Sequence, residues 1–485
     1  MRDFAPSLKE KLCGYSRAMF LSVAIFLFLS NLSCVQTPSP KPNIIYINID
    51  DLGWTDLGFQ GSSFYETPNI DRLAAQGMVF TNAYASAANC APSRASSLTG
   101  QYSPRHRVFT VASSERGKSE DRKLIPIKNT LFIENENLTI AQSLKDAGYK
   151  TCAIGKWHIS KDPLQNGFEM NIAGGRQGSP YEGYHSPYKY PNCEKEEAGE
   201  YLTDRLTDES LKFIKKNKGA PFFLYLSYYA VHTPLQAKPD LKEKFSRKAA
   251  SEAHGNPTYA AMIAAVDAGV GRVMAALDSL DLSDNTLVLL TSDNGGLWGI
   301  SKQWPLRAGK GSYYEGGIRV PMIVRWPKKI AAGGVCDVPV IGVDFFPTFL
   351  EAANLDKPKD KILDGQSLTP LFSQSGRLEE RALFWHFPIY LQAYVKNGPV
   401  ETTDPKFRTR PGSVIRYGDW KLHEYFEDGH LELYNLKKDP SEKQNLSETQ
   451  PEKREELYSM LKTWQKKIEA PIPTTLNPEY KLPSG

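Results

Sequence analysis

The feature that most restricts this chain is a recurring alternation of short, continuously apolar runs with amphipathic stretches of helical period. Residues 43–49, 222–229 and 286–291 are such runs. Unbroken apolarity, rather than apolarity at every second residue, marks strands buried on both faces. Helical patterns stand at 68–77 and 138–147, stopped by Gly77 and Gly148, and at 206–216, 259–280 and 343–353. Further strands read at 150–154 and 321–326. Strands alternating with helices predict an α/β fold, a large and mostly parallel sheet sandwiched by helices. The pattern changes after about residue 365. Residues 414–417, 420–425 and 431–434 read as short strands joined by Gly-Asp and Asp-Gly turns, which suit an antiparallel meander. Residues 451–468 form a charged amphipathic helix. The expected organisation is a main domain over 43–364 and a smaller C-terminal antiparallel-sheet subdomain over 365–485.

The first 33 residues read as a secretory signal peptide. Lys9, Lys11 and Arg17 precede an apolar run over 19–29 that is short for a membrane span. Residues 34–42 form a Pro-rich linker. Cleavage near Ser33 would release a soluble protein. Lipidation of Cys34 would instead attach it to a membrane, as in the bacterial lipoproteins that this leader resembles. A periplasmic protein or an outer-membrane lipoprotein is therefore expected. With 59 basic against 55 acidic residues and no basic block, a nucleic-acid partner is not supported. Cys152 and Cys336 read as small buried residues, since six cysteines in 485 residues are too few for a disulfide framework.

Two acidic pairs stand directly after strands. Asp50 and Asp51 follow the run ending at Ile49, and Asp293 and Asn294 follow the run ending at Thr291. Ligands of open α/β sheets bind beyond the carboxyl ends of the strands. Four oxygen-bearing side chains gathered there, with no imidazole among them, favour a hard cation, calcium or magnesium.

A third element is Cys90-Ala91-Pro92-Ser93-Arg94, continuing to Leu98-Thr99-Gly100. This resembles the motif of the type I, formylglycine-dependent sulfatases of the alkaline-phosphatase-like superfamily. The likeness extends along the chain through Asp50-Asp51-Leu52-Gly53, Thr67-Pro68-Asn69-Ile70-Asp71-Arg72, Gly155-Lys156-Trp157-His158, His232-Thr233-Pro234 and Gly309-Lys310-Gly311, in the family's order. Bacterial polysaccharide sulfatases and arylsulfatase A-like enzymes are similar to it.

The resemblance implies that a separate maturating, formylglycine-generating enzyme oxidises Cys90 to formylglycine (3-oxoalanine). One hydroxyl of the hydrated aldehyde would attack sulfur, and the other would expel sulfate by re-forming the aldehyde. It implies a calcium ion, magnesium being the lesser expectation, held by Asp50, Asp51, Asp293, Asn294 and the modified Cys90. Arg94 would stabilise the formylglycine, and Lys156 and Lys310 would contact the sulfate. His232, with Lys310, would protonate the leaving sugar oxygen, and His158 would serve as the base of the final elimination. The domain over 43–364 is then the catalytic one, acting on a sulfated carbohydrate.

The aromatic loop 174–200, with Arg176, Tyr181, Tyr184, His185, Tyr188 and Tyr190, could face a sugar, as could Trp304, Arg307, Trp385, His386 and Arg416. Two other readings of the whole chain are a phosphate or phosphonate monoester hydrolase of the same superfamily and a non-catalytic glycan-binding protein.

Overall fold

In the computed structural model, β1 (Asn43–Ile49), β2 (Met78–Phe80), β3 (Lys150–Gly155), β4 (Met170–Ile172), β5 (Phe222–Tyr228), β6 (Thr286–Ser292), β7 (Met322–Arg325) and β8 (Gly334–Cys336) form one eight-stranded sheet. Its order is β4-β3-β5-β1-β6-β7-β2-β8. Only β7 runs against the rest, pairing antiparallel with β6 and β2. The structure describes residues 41–482 apart from 135–136, 182, 194–196, 252, 374–375, 394–401 and 403. The leader, Cys34 and most of the linker lie outside the described residues.

The expected mostly parallel sheet is present, and side-chain alternation explains its two covered faces. Successive residues of a strand point to opposite sides. Ile45, Ile47 and Ile49 of β1 enter one core with α1 (Pro68–Gln76), α4 (Leu202–Lys216) and α5 (Pro257–Ser279). Ile44 and Tyr46 enter the other, with α2 (Cys90–Thr99), α3 (Ile140–Asp146) and α6 (Phe345–Ala352). Each such Ile or Leu, fully buried, contributes about 1.5–3 kcal/mol relative to exposure. Caps set where the helices start. Asn256 accepts from the Thr258 and Tyr259 amides at 3.0 Å each, ahead of Pro257 in the first turn of α5. Thr139 does the same for α3 through the Gln142 amide.

Past residue 382 the antiparallel expectation also holds. Leu383–Phe387, Gly412–Tyr417, Trp420–Tyr425 and Leu431–Asn435 form a four-stranded sheet in that order. Tyr417 pairs with Trp420 across a two-residue turn, where Gly418 has φ 56°. Ile415, Leu422 and Leu433 pack against Leu457 and Leu461 of α7 (Pro451–Lys467). The other side of this sheet shares a core with the main region: Leu383, Trp385 and Phe387 pack with Tyr84, Ala88 and Phe109.

Candidate active site

Parallel register decides which strand ends meet. Ile49 of β1 lies opposite Ser292 of β6, and Gly155 of β3 opposite Ser227 of β5. The residues that follow, Asp50-Asp51, Asp293-Asn294 and Lys156, therefore emerge side by side at one edge of the sheet. Gly155 is required there. Its φ is +94°, and a Cβ would strike the Ser227 carbonyl oxygen. Two non-glycine residues of this edge are also left-handed, Asp51 (φ 59°) and His158 (φ 69°). Such backbone strain gathers at functional sites.

Cys90 is the first residue of α2 and is buried. The amide groups of that first turn have no intrahelical acceptors and favour an anion in front of them. A Cys90 ligand atom and carboxylate oxygens of Asp50 and Asp293 all lie within 4.8 Å of one another. Two buried oxygens in this cluster, Asp50 Oδ1 and Asn294 Oδ1, have no hydrogen-bond donor. A buried acceptor without a partner costs free energy, and a hard cation would satisfy both. The donor set thus fits a divalent ion bound by oxygens.

Cations of the protein itself already grip these carboxylates. Lys156 Nζ donates to Asp50 Oδ2 at 2.6 Å, and Arg94 Nε to Asp293 Oδ2 at 2.7 Å. Arg94 Nη1 also bonds the Lys156 carbonyl, Tyr225 and Ser227, while Nη2 stands 3.7 Å from Asp50 Oδ1 without a hydrogen bond. Lys310 Nζ sits 2.7 Å from Asp51 Oδ1, and Asn294 Nδ2 donates to the same oxygen at 2.8 Å. Burial pushes Asp50 up to about 8, against the pull of Lys156. Burial would raise Asp51 too, but Lys310 outweighs it and holds that carboxyl below its ordinary range. Asp293 is held down in the same way by Arg94.

A cavity of about 340 Å³ opens over this cluster. Asp51, Cys90, His158, His232 and Lys310 line it, joined by Asn89, Arg116, Gly178, Ser179 and Arg408. His232 Nδ1 donates to the Thr233 carbonyl at 2.6 Å, which leaves Nε2 as the free ring nitrogen, 3.7 Å from Asp51. Burial, then Lys310, lowers His232 to about 4. Burial, then Lys156, holds His158 well below the usual imidazole value. Both rings are neutral in this setting.

Of the residues singled out by sequence, Cys90, Asp51, His158, His232 and Lys310 border the cavity. Asp50, Arg94, Lys156, Asp293 and Asn294 stand behind them. Lys156 points to Asp50 rather than into the opening. The tyrosines of loop 174–200 do not line the cavity. Tyr184, Tyr188 and Tyr190 are buried in the core of the α1, α4 and α5 face, since rings this apolar gain more from packing than from exposure. Tyr184 lies 2.7 Å from the His232 carbonyl and so supports that residue from below. Among the loop's described residues, Gly178 and Ser179 alone reach the opening, Gly178 lying close against the His158 ring.

Trp385, His386 and Arg416 are core residues as well. They bond the Ala85 carbonyl (2.8 Å), Ser413 and the Pro471 carbonyl, and the Tyr84 hydroxyl (2.5 Å). Trp304 and Arg307 border a separate cavity of about 260 Å³. Arg116 and Arg408 carried no sequence signal, because neither stands in a motif or at a strand end.

A family described as Sulfatase matches residues 42–355, and one described as N-sulphoglucosamine sulphohydrolase, C-terminal, matches residues 309–470. A sulfatase of Formosa agariphila is 31% identical, over 94% of this chain and 94% of its own length. The N-acetylgalactosamine-6-sulfatase of Canis lupus familiaris is 32% identical, over 75% of this chain and 71% of its own. The solved structure of Ps i-CgsB in complex with k-i-k-neocarrahexaose superposes with a TM-score of 0.72 at 30% identity, covering 92% of this chain and 94% of that one.

Proposed function

The chain belongs to the sulfatase family, and we propose that it removes sulfate from a sulfated polysaccharide or its oligosaccharides by means of a formylglycine made from Cys90 and a calcium ion. Membership makes it a sulfuric ester hydrolase of alkaline-phosphatase-like fold. One observation carries the finer reading. Cys90 starts a helix, its ligand atom lies within 4.8 Å of carboxylate oxygens of Asp50 and Asp293, and it opens into the one cavity that His158, His232 and Lys310 also line. The sugar comes from the relatives: an N-acetylgalactosamine-6-sulfatase among the curated ones, and a solved structure in complex with k-i-k-neocarrahexaose.

Asp50, Asp51, Asp293 and Asn294 would hold the ion, together with the oxidised Cys90 side chain. Calcium bound there would supply a fixed double charge that lowers the pKa of a neighbouring hydroxyl and offsets the charge of the sulfate. A maturating enzyme would convert the Cys90 thiol to the aldehyde whose hydrate is the nucleophile. The protein's own groups do the rest. The α2 amides and Lys310 would face the sulfate oxygens, held in place before the substrate arrives. Lys156 and Arg94, behind the wall, neutralise Asp50 and Asp293 and fix where those carboxylates point. Lys310, whose ammonium has a proton to give, stands at the opening where the sugar oxygen would leave, with the bare Nε2 of His232 beside it. His158, neutral and buried, offers a ring nitrogen to the hydroxyl that must lose its proton before sulfate departs. Export through the leader, with attachment through Cys34 in the periplasm or outer membrane, fits a polymeric substrate outside the cell.

The test is direct. Protein from its native host is digested, the Cys90 peptide is analysed by mass spectrometry, and sulfate release from a panel of sulfated oligosaccharides is measured. An intact thiol in fully active protein would refute the formylglycine; hydrolysis of aryl phosphates with no sulfate released would refute the substrate class.

A further inference from the structure

The cavity wall carries two arginines that the cleavage itself does not use. Arg116 comes from the loop after α2, and Arg408 from the short strand Phe407–Thr409. They are brought together by packing. Gly117 (φ +85°) presses on the Phe407 ring, where a Cβ would stand 2.7 Å from a ring carbon. Lys406 Nζ pairs with Asp121 at 2.5 Å across the same junction. The residues next to this seam are Arg116 on one side and Arg408 on the other. Arg408 reaches back over Gly311, so close that a Cβ there would meet its guanidinium, and Gly311 follows Lys310. Both arginines thus line the cavity, Arg408 from beside the residue that follows Lys310. Arg116 is half-buried and donates to the Val111 carbonyl at 3.2 Å.

Among the described residues lining the cavity, Asp51 is the sole carboxylate, and Lys310 already pairs with it. A guanidinium offers a planar fork of donors that matches carboxylate and sulfate geometry. Resting on the sulfatase reading above, we propose that Arg116 and Arg408 form an anion clamp that selects sugars bearing a second anionic group, a sulfate or a carboxylate, beside the sulfate that is cleaved. A cavity of about 340 Å³ holds little more than one or two sugar rings, so the second group belongs to the same residue or its neighbour.

Three disaccharides test this: one with a single sulfate and no other charge, one with two sulfates, and one with a sulfate and a uronate carboxylate. The parent is expected to show kcat/KM at least roughly tenfold higher on one or both doubly anionic sugars than on the singly charged one. The doubly anionic arm that gains identifies the second group. In Arg116→Gln and in Arg408→Gln that ratio should collapse toward one, chiefly through KM. A parent ratio near one, or a ratio unchanged in both variants, overturns the clamp while leaving the sulfatase reading intact. Should no disaccharide lose sulfate, that reading fails instead. Calorimetric binding of the disulfated sugar to parent and Arg116→Gln then decides the clamp, with equal affinities overturning it and at least tenfold weaker binding by the variant supporting it.

Discussion

The Lys310 ammonium lies 2.7 Å from one Asp51 carboxylate oxygen and 2.8 Å from the other, so a single lysine bridges the whole carboxylate at the cavity floor. The pair is buried and close to His232, which ties a charge that holds Asp51 ionised to the spot where a leaving group would take its proton.

Lys310→Ala removes both roles. The expected loss in kcat is roughly 100- to 10,000-fold, the range of a lost proton transfer. Breaking a buried pair also leaves Asp51 uncompensated, at a cost of about 3–5 kcal/mol. Steady-state kinetics with urea unfolding of the same variant would check both. Full activity in Lys310→Ala would remove it from the mechanism.

Chelation should inactivate the enzyme and lower its melting temperature, and added calcium should restore both. With free calcium at about 100 times its Kd, the stabilisation is about 2.7 kcal/mol. Asn294→Ala keeps the carboxylates but removes a donor oxygen, so it should shift the calcium midpoint to higher concentration. A melting curve indifferent to chelator would argue against a bound ion.

Gly155→Ala places a Cβ against the Ser227 carbonyl in a left-handed residue. The expected cost is on the order of 2 kcal/mol or more. Because Lys156 follows directly, kcat should fall as well. Chemical denaturation and kinetics that both match the parent would show that the strand end can shift without consequence.

His386 is held neutral in the core. Its Nε2–H donates to the Pro471 carbonyl at 3.0 Å, Nδ1 accepts from Ser413, and burial lowers it to about 4 from an ordinary 6.5. Between those values the unfolded chain binds the extra proton and the folded one does not. Stability from this residue is therefore complete above pH 6.5 and is lost as pH falls toward 4, with a slope approaching about 1.4 kcal/mol per pH unit. The readout is the difference between parent and His386→Gln in melting temperature from pH 7 to 5, which cancels the other titrating groups. The parent should lose more on acidification. Identical slopes would contradict the buried neutral ring.

Much of the fold was open to reading because burial on two faces leaves a mark on composition. The β1, β5 and β6 runs read as strands, and α5 reads as a helix by its apolar period, while its Asn256 cap shows only in the structure. Strands of two or three residues, such as β2, β4 and β8, escaped, being too short to show a period. The loop 174–200 and the Trp385-His386 pair were misleading for a different reason. Aromatic and basic residues serve a sugar site and a packed core equally well, and only their neighbours tell which.

The sequence alone determined the α/β order, the acidic pairs at two strand ends and the Cys90 motif, since these rest on local pattern and on chemistry that short segments can carry. Tertiary structure decided the rest. Parallel register set Asp50 beside Asp293, the packing of Gly117 on Phe407 brought Arg116 and Arg408 to one cavity wall, and the depth of the sheet edge put Lys156 behind the wall and Lys310 at the opening. Such relations join residues far apart in the chain, where contact depends on how elements pack and no local signal records it.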